Sequence, residues 1–371
     1  MQALAWLLVA SATLWTAGAL AAIVVFTRRR IPSESSPSPV SVLKPLCGRD
    51  ADLESNLASF FEQDHPNFEL VFGAIDADDP ALKTVSTLRA RYPKVKCKVI
   101  VHAGGGSLNP KVNNLRGMLP AASHDLVVVS DSNIKAPRQY VRELATLFDA
   151  EGPGLVTNLF AGTGEDSFGA ALENVQLTGF CAAGVALPTL LGDPLLVGKS
   201  SAFSRARFEQ LGGFQRLADV LAEDFVMGKT FAHAGDRVLV APTILSNVTR
   251  SATLEEMLAR HLRWAMMRFR LRPTVAALEP LTSPLALLPL CWWLLGPWSL
   301  AWAAALLIVR DVGGWVALRG WRRWYLPLLL SPIRELVALG IWALAPLKHR
   351  VSWRGKRFRL GAGTLLYPEQ R

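Results

Sequence analysis

Charged residues are scarce in this sequence of 371 residues. Asp, Glu, Lys and Arg make up 19% of it and apolar residues 51%, whereas soluble domains are typically about 25% charged. Together with a positive mean hydropathy, this scarcity argues against an ordinary soluble enzyme. It indicates a membrane-associated chain with one large or two smaller domains.

Cysteines and motifs for phosphate or nucleic acid are equally sparse. Cys47, Cys97, Cys181 and Cys291 lie far apart, which excludes zinc and redox motifs built on neighbouring thiols and fits a reduced, cytosol-facing location. The Gly-rich stretch "HAGGGSLNPKVNNL" is neither a P-loop nor GxGxxG. The net charge of +10 comes without a nucleic-acid recognition motif, so we expect no nucleic-acid partner.

The chain opens with an uncharged run over residues 3–26. These 24 residues would extend about 36 Å as a helix at roughly 1.5 Å per residue, enough to cross a bilayer. A cleaved signal peptide is the alternative, but it would place basic residues before its apolar core, whereas three arginines follow this one. By the positive-inside rule they place the next domain in the cytoplasm. We predict a transmembrane anchor over residues 1–30 and a Pro/Ser-rich linker over 31–39.

Two apolar blocks return near the C-terminus, "SPLALLPLCWWLLGPWSLAWAAALLIV" and "WYLPLLLSPIRELVALGIWALAPL". They predict transmembrane or interfacial helices over residues 274–347. A charge at the bilayer centre costs about 2.5–3.5 kcal/mol. We therefore expect Arg310, Asp311, Arg334 and Glu335 to lie near interfaces, to pair with each other or to face a protein interior.

The number of crossings stays open at this point. A simple two-span hairpin would put Arg319, Arg322 and Arg323 outside, against the positive-inside rule, so a re-entrant or interfacial segment is the alternative to one crossing. Residues 348–371 predict a basic cytoplasmic tail. Its basic residues include Lys348, Arg350, Arg354, Lys356, Arg357 and Arg359.

Residues 40–273 alternate between strand-like and helix-like segments. Short apolar runs such as "FELVFGAID", "HDLVVVSDS" and "DRVLVAPTI" predict strands, and residues 53–62 and 80–92 predict helices. The alternation indicates an α/β domain with a mainly parallel sheet, in which ligands bind beyond the carboxyl ends of the strands. Asp76 and Asp131 end two of these strands and are candidate ligand contacts, with turn chemistry as the alternative for each.

Three further charged positions stand out in this domain. Glu223 and Asp224, in "LAEDFVMGKT", open a predicted helix, where acidic residues also suit the positive end of the helix dipole. Lys111 follows the Gly-rich stretch and is a candidate contact for a diphosphate.

A basic helix ends the domain, in "SATLEEMLARHLRWAMMRFRLRP". Thr253 and Glu256 predict a capping box at its start. Arg260, Arg263 and Trp264 fall at positions i, i+3 and i+4, so they share one helix face. A basic amphipathic helix lying on the membrane is the alternative interpretation.

In order along the chain, these residues resemble the D…D…D…(Q/R)xxRW pattern of membrane-bound, family 2-like glycosyltransferases with a GT-A fold. The resemblance is strongest to the ceramide glucosyltransferase family. The pattern reads "IDADDP", "SDSNI", "AEDF" and "RHLRW", within residues 40–273. "LNPKVNNL" and "LENV" also look like family segments, and the apolar ends match the family layout. One departure is Cys181, near which animal members carry a His.

The resemblance implies an inverting enzyme that moves a hexose, with glucose favoured, from a UDP-sugar to the primary hydroxyl of ceramide. The product would be a β-linked glycosphingolipid. In this family pattern Asp224 would be the general base. Asp131 would hold Mg2+ or Mn2+ against the diphosphate, and Asp76 would hydrogen-bond the uracil or ribose.

The basic and aromatic positions receive roles from the same resemblance. Lys111, Arg260 and Arg263 would stabilise the charge that grows on the leaving diphosphate. Trp264 would pack beside the reactive end of the acceptor.

The partners implied are a UDP-sugar donor, a membrane-lipid acceptor and the membrane itself. The composition suggests a bacterial member, with its catalytic domain on the cytoplasmic side of the inner membrane. Alternatives are a hopanoid (bacteriohopanetetrol) N-acetylglucosaminyltransferase, another membrane-lipid glycosyltransferase, and a processive polysaccharide synthase, which would need more spans. A non-catalytic membrane lipid-binding module is the alternative from another class, and it would make Asp131 and Asp224 dispensable.

Overall fold

The structure is a computed structural model that describes residues 1–32, 36–50, 52–152, 154–353 and 355–369. Residues 33–35 of the predicted linker and Arg354 of the predicted basic tail lie outside the described residues.

Eleven strands occur in the described ranges, and eight of them form one sheet. The strands are β1 (Val40–Pro45), β2 (Phe68–Ala74), β3 (Lys96–Val101), β4 (Leu126–Ser130), β5 (Ile134–Lys135), β6 (Leu155–Thr163), β7 (Ser200–Ser204), β8 (Val238–Val248), β9 (Arg350–Trp353), β10 (Lys356–Leu360) and β11 (Leu366–Pro368). The order in the large sheet is β3-β2-β1-β4-β7-β6-β8-β5, and the small sheet has the order β11-β10-β9.

The large sheet has a parallel half and an antiparallel half. Strands β3, β2, β1 and β4 pair in parallel, with Val42 opposite Leu70 on one side and Val128 on the other. The pairs β4–β7, β7–β6 and β8–β5 are antiparallel. The predicted α/β class is confirmed. Apolar periodicity marks a strand but carries no information on its direction, so the antiparallel half was not predicted.

The helices alternate with the first strands and then dominate the C-terminal part. They are α1 (Gln2–Thr27), α2 (Leu53–Phe61), α3 (Ala81–Arg91), α4 (Pro110–Met118), α5 (Tyr140–Glu151), α6 (Phe168–Gln176), α7 (Ala182–Leu190), α8 (Arg205–Gln210), α9 (Glu223–His233), α10 (Leu254–Leu271), α11 (Pro273–Leu278), α12 (Pro284–Leu295), α13 (Trp298–Leu307), α14 (Gly313–Arg319) and α15 (Tyr325–Leu344). The predicted capping box of α10 is confirmed, since the Thr253 hydroxyl accepts from the Glu256 N–H and the Glu256 carboxylate from the Thr253 N–H.

The chain divides into two compact units. The sheet unit comprises Phe26–Phe160, Pro188–Val248 and Leu365–Arg371. The helical unit comprises Met1–Val25, Ala161–Leu187 and Thr249–Thr364. The predicted segment boundaries at residues 30, 39, 273 and 347 stay a prediction.

Helix α4 of the sheet unit packs directly onto β2. A Cβ atom at Gly73 would lie 2.2 Å from Met118 Cγ, so glycine is needed for this close approach. Asn109 caps the helix, because its Oδ1 accepts from the N–H groups of Lys111 (2.9 Å) and Val112 (3.0 Å). This cap fixes the start of α4, and with it Lys111, at the carboxyl edge of the parallel strands.

The helical unit holds helices of membrane-spanning length. Gln2–Thr27, Phe168–Leu190, Trp298–Arg319 and Tyr325–Leu347 are long and apolar enough to cross a membrane, and Pro273–Leu295 is a pair bent by 58°. The N-terminal helix and the apolar C-terminal helices were predicted. The helix over Phe168–Leu190 was not, because its polar residues interrupt the apolar run in the sequence.

Four charges are buried among these helices, and they pair with one another as predicted. Arg310 lies 2.6 Å from Glu335 and 2.9 Å from Asp311, and Arg334 lies 2.5 Å from Asp311 and 2.8 Å from Glu335. Their side chains are at most 3% exposed. The four charges sum to zero, which lowers the cost of placing them among apolar helices. Gly179 permits the approach, since a Cβ atom there would lie 2.8 Å from Asp311 Oδ1.

Candidate active site

Three of the predicted site residues meet at the carboxyl edge of the parallel strands. Asp131 directly follows β4, Lys111 lies in the first turn of α4, and Asp224 lies in the first turn of α9. All three belong to the sheet unit. In such sheets this edge is where ligands bind.

Lys111 is the centre of the cluster. Its ammonium group lies 2.8 Å from Asp131 Oδ1 and 3.2 Å from Glu223 Oε1, and it donates to the Gly198 carbonyl at 3.0 Å. Burial opposes its charge, but the carboxylates of Asp131 and Glu223 outweigh burial and raise the pKa of Lys111. The lysine is therefore a fixed cation with three acceptors around it.

Gly198 joins this lysine to Asp224 through its two backbone groups. Its carbonyl accepts from Lys111, while its N–H donates to Asp224 Oδ2 at 2.6 Å. The other oxygen, Asp224 Oδ1, accepts from the Phe225 N–H at 2.8 Å. A Cβ atom at Gly198 would lie 2.8 Å from Lys111 Nζ and 3.2 Å from Asp224 Oδ2. A larger residue at position 198 would displace the Lys111 ammonium group or the Asp224 carboxylate, which two backbone N–H groups hold in one orientation.

Lys199, which the sequence analysis missed, is the second cation of the cluster. Its Nζ lies 3.0 Å from Asp131 Oδ2 and 3.5 Å from Asn133 Oδ1. Burial would raise the pKa of Asp131, but Lys111 and Lys199 outweigh it and lower that pKa far enough to keep the carboxylate ionised. The one sequence signal was a lysine beside a glycine just before strand β7, "VGKSSAFS".

A third lysine, Lys44, donates to the main chain at Asp131. Lys44, fully buried in β1, donates to the Asp131 carbonyl at 2.5 Å and to Ser130 Oγ at 3.3 Å. Its ammonium group lies 3.6 Å from the centre of the Phe60 ring, a cation–π contact. Burial lowers the pKa of Lys44 well below its usual value. Lys44 holds the end of β4 in place and so positions Asp131.

Glu223 links the starts of two helices. Its Oε2 accepts from Asn109 Nδ2 at 3.1 Å, and Asn109 is the residue that caps α4. Burial raises the pKa of Glu223, and Lys111 opposes this rise. The two adjacent carboxylates thus have different surroundings, with Glu223 tied to Lys111 and Asn109 and Asp224 held by backbone N–H groups.

Asp76 lies outside this cluster. It follows β2, whose carboxyl end lies at the same sheet edge as that of β4, because both strands run parallel to β1. Its side chain is exposed, and Oδ1 accepts from the Asp78 N–H at 2.9 Å. This contact is the turn chemistry that was the alternative at this position, and the role of Asp76 at a nucleotide stays a prediction.

The RxxRW residues belong to the helical unit, where each has its own partner. Arg260 lies 2.5 Å from Glu173, whose side chain is fully buried. Arg263 donates to the Ser352 carbonyl at 3.4 Å, and the Trp264 ring lies 4.9 Å from the His261 ring. Their predicted roles in transfer stay predictions.

The donor atoms around Asp131 decide whether the predicted metal ion fits there. Across the described ranges no group of three His, Cys, Asp or Glu side chains could share an ion. Asp131 and Asn133 nevertheless present two hard oxygens around the Lys199 ammonium, a position suited to a cation. Mg2+ is commonly held by one or two carboxylates together with substrate phosphates and water. The donor set therefore fits a divalent ion that binds together with a diphosphate.

Comparison with known proteins identifies the family. Two ceramide glucosyltransferases of Caenorhabditis elegans, numbered 3 and 1, are 26% and 27% identical to the chain over 91% and 90% of its length, and over 76% and 75% of their own. A solved mannosyltransferase of Pyrobaculum calidifontis, in complex with GDP-Man and Mn2+, aligns over 91% of this chain and 99% of its own, with 18% identity and a TM-score of 0.48. The α/β fold class of this chain is assigned from its sheet topology. The profile of glycosyl transferase family 21 matches residues 4–366, and the chain belongs to this family of sugar-transferring enzymes.

Proposed function

We propose that the chain transfers a hexose, with glucose favoured, from a UDP-sugar to the primary hydroxyl of ceramide. The two relatives named as ceramide glucosyltransferases support the acceptor, since they cover nine-tenths of the chain. The helices of membrane-spanning length support an acceptor that stays in a bilayer.

One observation carries the proposal: a single residue, Gly198, contacts both the candidate base and a candidate phosphate-binding cation. Asp224 accepts from the Gly198 N–H, Lys111 donates to the Gly198 carbonyl, and Lys111 also contacts Asp131. Transfer between a nucleotide sugar and an alcohol needs a proton acceptor and a diphosphate site at a fixed separation. The contacts of Gly198 support the proposal, because they hold a carboxylate and a lysine of the required kinds beside one residue.

The proposed chemistry is a single displacement. The ceramide hydroxyl oxygen attacks the anomeric carbon while its proton passes to the Asp224 carboxylate. The bond between that carbon and the UDP oxygen breaks, and its electron pair leaves with UDP. An α-linked donor would therefore give a β-linked glycosphingolipid. Lys111 and Lys199 would stabilise the negative charge that develops on the diphosphate.

Mg2+ or Mn2+ would be held by Asp131 with Asn133 beside it. When bound, such an ion supplies positive charge to the leaving diphosphate. Lys199, which contacts the same two oxygens, would add a second positive charge beside the diphosphate.

The other predicted residues keep their roles as part of the proposal. Asp76 would contact the uracil or ribose, and Arg260 and Arg263 would act on the diphosphate. Trp264 would pack beside the acceptor.

A donor and acceptor screen tests the proposal. The purified full chain would receive UDP-glucose, UDP-galactose, UDP-GlcNAc or UDP-glucuronate, each with ceramide, diacylglycerol or bacteriohopanetetrol, and products would be identified by mass spectrometry. We expect hexosylceramide from UDP-glucose, cleaved by a β-glucosidase. Transfer to bacteriohopanetetrol without transfer to ceramide, or an α-linked product, would refute the ceramide proposal.

Replacing Lys199 is expected to weaken use of the donor. A hydrogen bond to a charged group contributes about 1.5–3 kcal/mol, so Lys199→Met should lower kcat/KM for UDP-sugar by roughly 10- to 100-fold. Steady-state kinetics at saturating acceptor would measure this. Lys135→Met is the matched control, because Lys135 is exposed and contacts only Ser55 among the hydrogen bonds described. An unchanged kcat/KM for Lys199→Met would exclude Lys199 from the donor site.

A further inference from the structure

The hairpin formed by β9 and β10 concentrates positive charge beside a candidate membrane span. It begins directly after the helix Tyr325–Leu347. No Asp or Glu occurs from residue 348 to residue 368. The described basic residues of this segment are Lys348, Arg350, Lys356, Arg357 and Arg359.

The two faces of the hairpin differ sharply. On one face Val351 and Phe358 are paired and only 5% and 4% exposed. On the other face Arg350 is paired with Arg359, and Arg357 with Ser352, and the arginines are exposed. The apolar face is buried, whereas the arginine face is accessible to a ligand.

Contacts with α10 fix the hairpin within the helical unit. Arg263 donates to the Ser352 carbonyl at 3.4 Å, and its guanidinium lies 6.0 Å from the Trp353 ring. Arg270 donates to the Lys348 carbonyl at 3.2 Å. The arginine face is thus presented by a structured element rather than by a free tail.

The position of the hairpin along the chain determines how deep in the membrane its arginines would lie. Arg350 follows Leu347 by three residues, a reach of at most about 10 Å for an extended chain. If Tyr325–Leu347 crosses or lies in the bilayer, this places the arginines at the level of the lipid headgroups. Clusters of four to eight Lys or Arg residues beside a membrane helix attract anionic lipids.

We propose that the arginine face, formed by Arg350, Arg357 and Arg359, binds the phosphate groups of anionic phospholipids. Arg suits this ligand because its guanidinium can bind phosphate through two parallel hydrogen bonds. This face belongs to the helical unit, whereas the Asp131 cluster belongs to the sheet unit, and the proposal does not depend on the donor or acceptor proposed above. Through Ser352 and Trp353, a bound lipid would also hold the hairpin on α10.

Titration of lipid into the detergent-solubilised full chain tests the proposal. Short-chain phosphatidylglycerol is the probe, with short-chain phosphatidylcholine and inorganic phosphate in parallel arms, and tryptophan fluorescence reports binding. Each basic residue contributes roughly fivefold in affinity. The triple variant Arg350→Gln, Arg357→Gln, Arg359→Gln should therefore bind phosphatidylglycerol at least tenfold more weakly than wild type. The control variant Arg89→Gln, Lys94→Gln, Lys96→Gln removes three exposed charges from α3 and β3 and its adjoining loop, and should bind as wild type does.

Thermal unfolding in phosphatidylcholine separates lost binding from lost folding. Binding by the triple variant and by wild type is compared below both unfolding midpoints, so that any loss of binding is measured on folded protein. If the triple variant does not fold, Arg357→Gln alone, opposite Ser352, should weaken binding about fivefold. Equal binding by wild type and variant would overturn the proposal. Equally tight binding of inorganic phosphate would also overturn it, since the face would then recognise free phosphate and not lipid.

Discussion

Asp224→Asn is expected to lower kcat by about a thousandfold, because a positioned general base contributes 10²- to 10⁴-fold to a reaction that transfers a proton. The amide keeps the size of the carboxylate and one of its two backbone hydrogen bonds, with Gly198 and Phe225 as the donors. It cannot take the proton of the acceptor hydroxyl. Initial rates at saturating donor and acceptor would measure the loss, and UDP affinity should change much less than kcat.

Asp219→Asn is the matched control for this experiment. Asp219 is an exposed carboxylate of the same unit, and its Oδ1 accepts from a backbone N–H, that of Leu108, at 2.9 Å. The control should retain nearly full turnover. Near-normal turnover by Asp224→Asn would show that another group accepts the proton, and Glu223 would then be examined first.

Asp311→Asn is expected to destabilise the helical unit by about 3–5 kcal/mol, the cost of breaking a buried ion pair from one side. The wild-type carboxylate contacts both Arg310 and Arg334, and its side chain is fully buried. The variant would leave two arginines with Glu335 as the one remaining carboxylate of the four-charge group. Unfolding of the full chain in mixed detergent, followed by tryptophan fluorescence, would measure the change.

Two further variants test whether charge imbalance causes the loss of stability in Asp311→Asn. Asp311→Leu combined with Arg334→Met restores charge balance and should recover much of the lost stability, since replacing both partners of a buried pair by apolar residues is often neutral. Asp166→Asn breaks an exposed pair with Arg250, both about half exposed, and should cost no more than about 1 kcal/mol. A double variant as unstable as the single one would argue against charge imbalance as the cause.

Local patterns in the sequence were enough to predict several elements of both units. Short apolar runs marked strands β1 to β4, and the Thr253–Glu256 capping box marked the start of α10. These features depend on neighbours within about four residues, which the sequence displays directly. Pairing of β7 between β4 and β6 depends on strands separated by a long helical segment, and no local pattern encodes it.

The candidate site also has residues that the sequence pattern identified and residues that only the structure revealed. Asp131 and Asp224 stood out because they follow or precede regular elements, and the family pattern connected them to Lys111. Lys199 pairs with a residue 68 positions earlier, and Lys44 lies inside a buried strand, so no local pattern marked either of them as a site residue. Asp76 was selected by the family pattern, but the hydrogen bond described for its side chain is from the Asp78 N–H in the same turn.

The buried charges show what hydropathy can predict. A charge in an apolar run is costly, so Arg310, Asp311, Arg334 and Glu335 were expected near interfaces, paired with each other or facing a protein interior, and the structure shows that they pair. Which charge pairs with which depends on how the helices cross, including the close approach at Gly179. That detail required the structure.

An experimental structure of the full chain with UDP and Mg2+ would test the central claim most directly. The account predicts that the diphosphate lies within hydrogen-bonding distance of Lys111 or Lys199, with the ion on Asp131 and Asp224 open to the acceptor side. UDP bound elsewhere, for instance in the cleft of the sheet unit lined by Arg29, Gln139 and Glu143, with Lys111 still closed on Asp131, would contradict it.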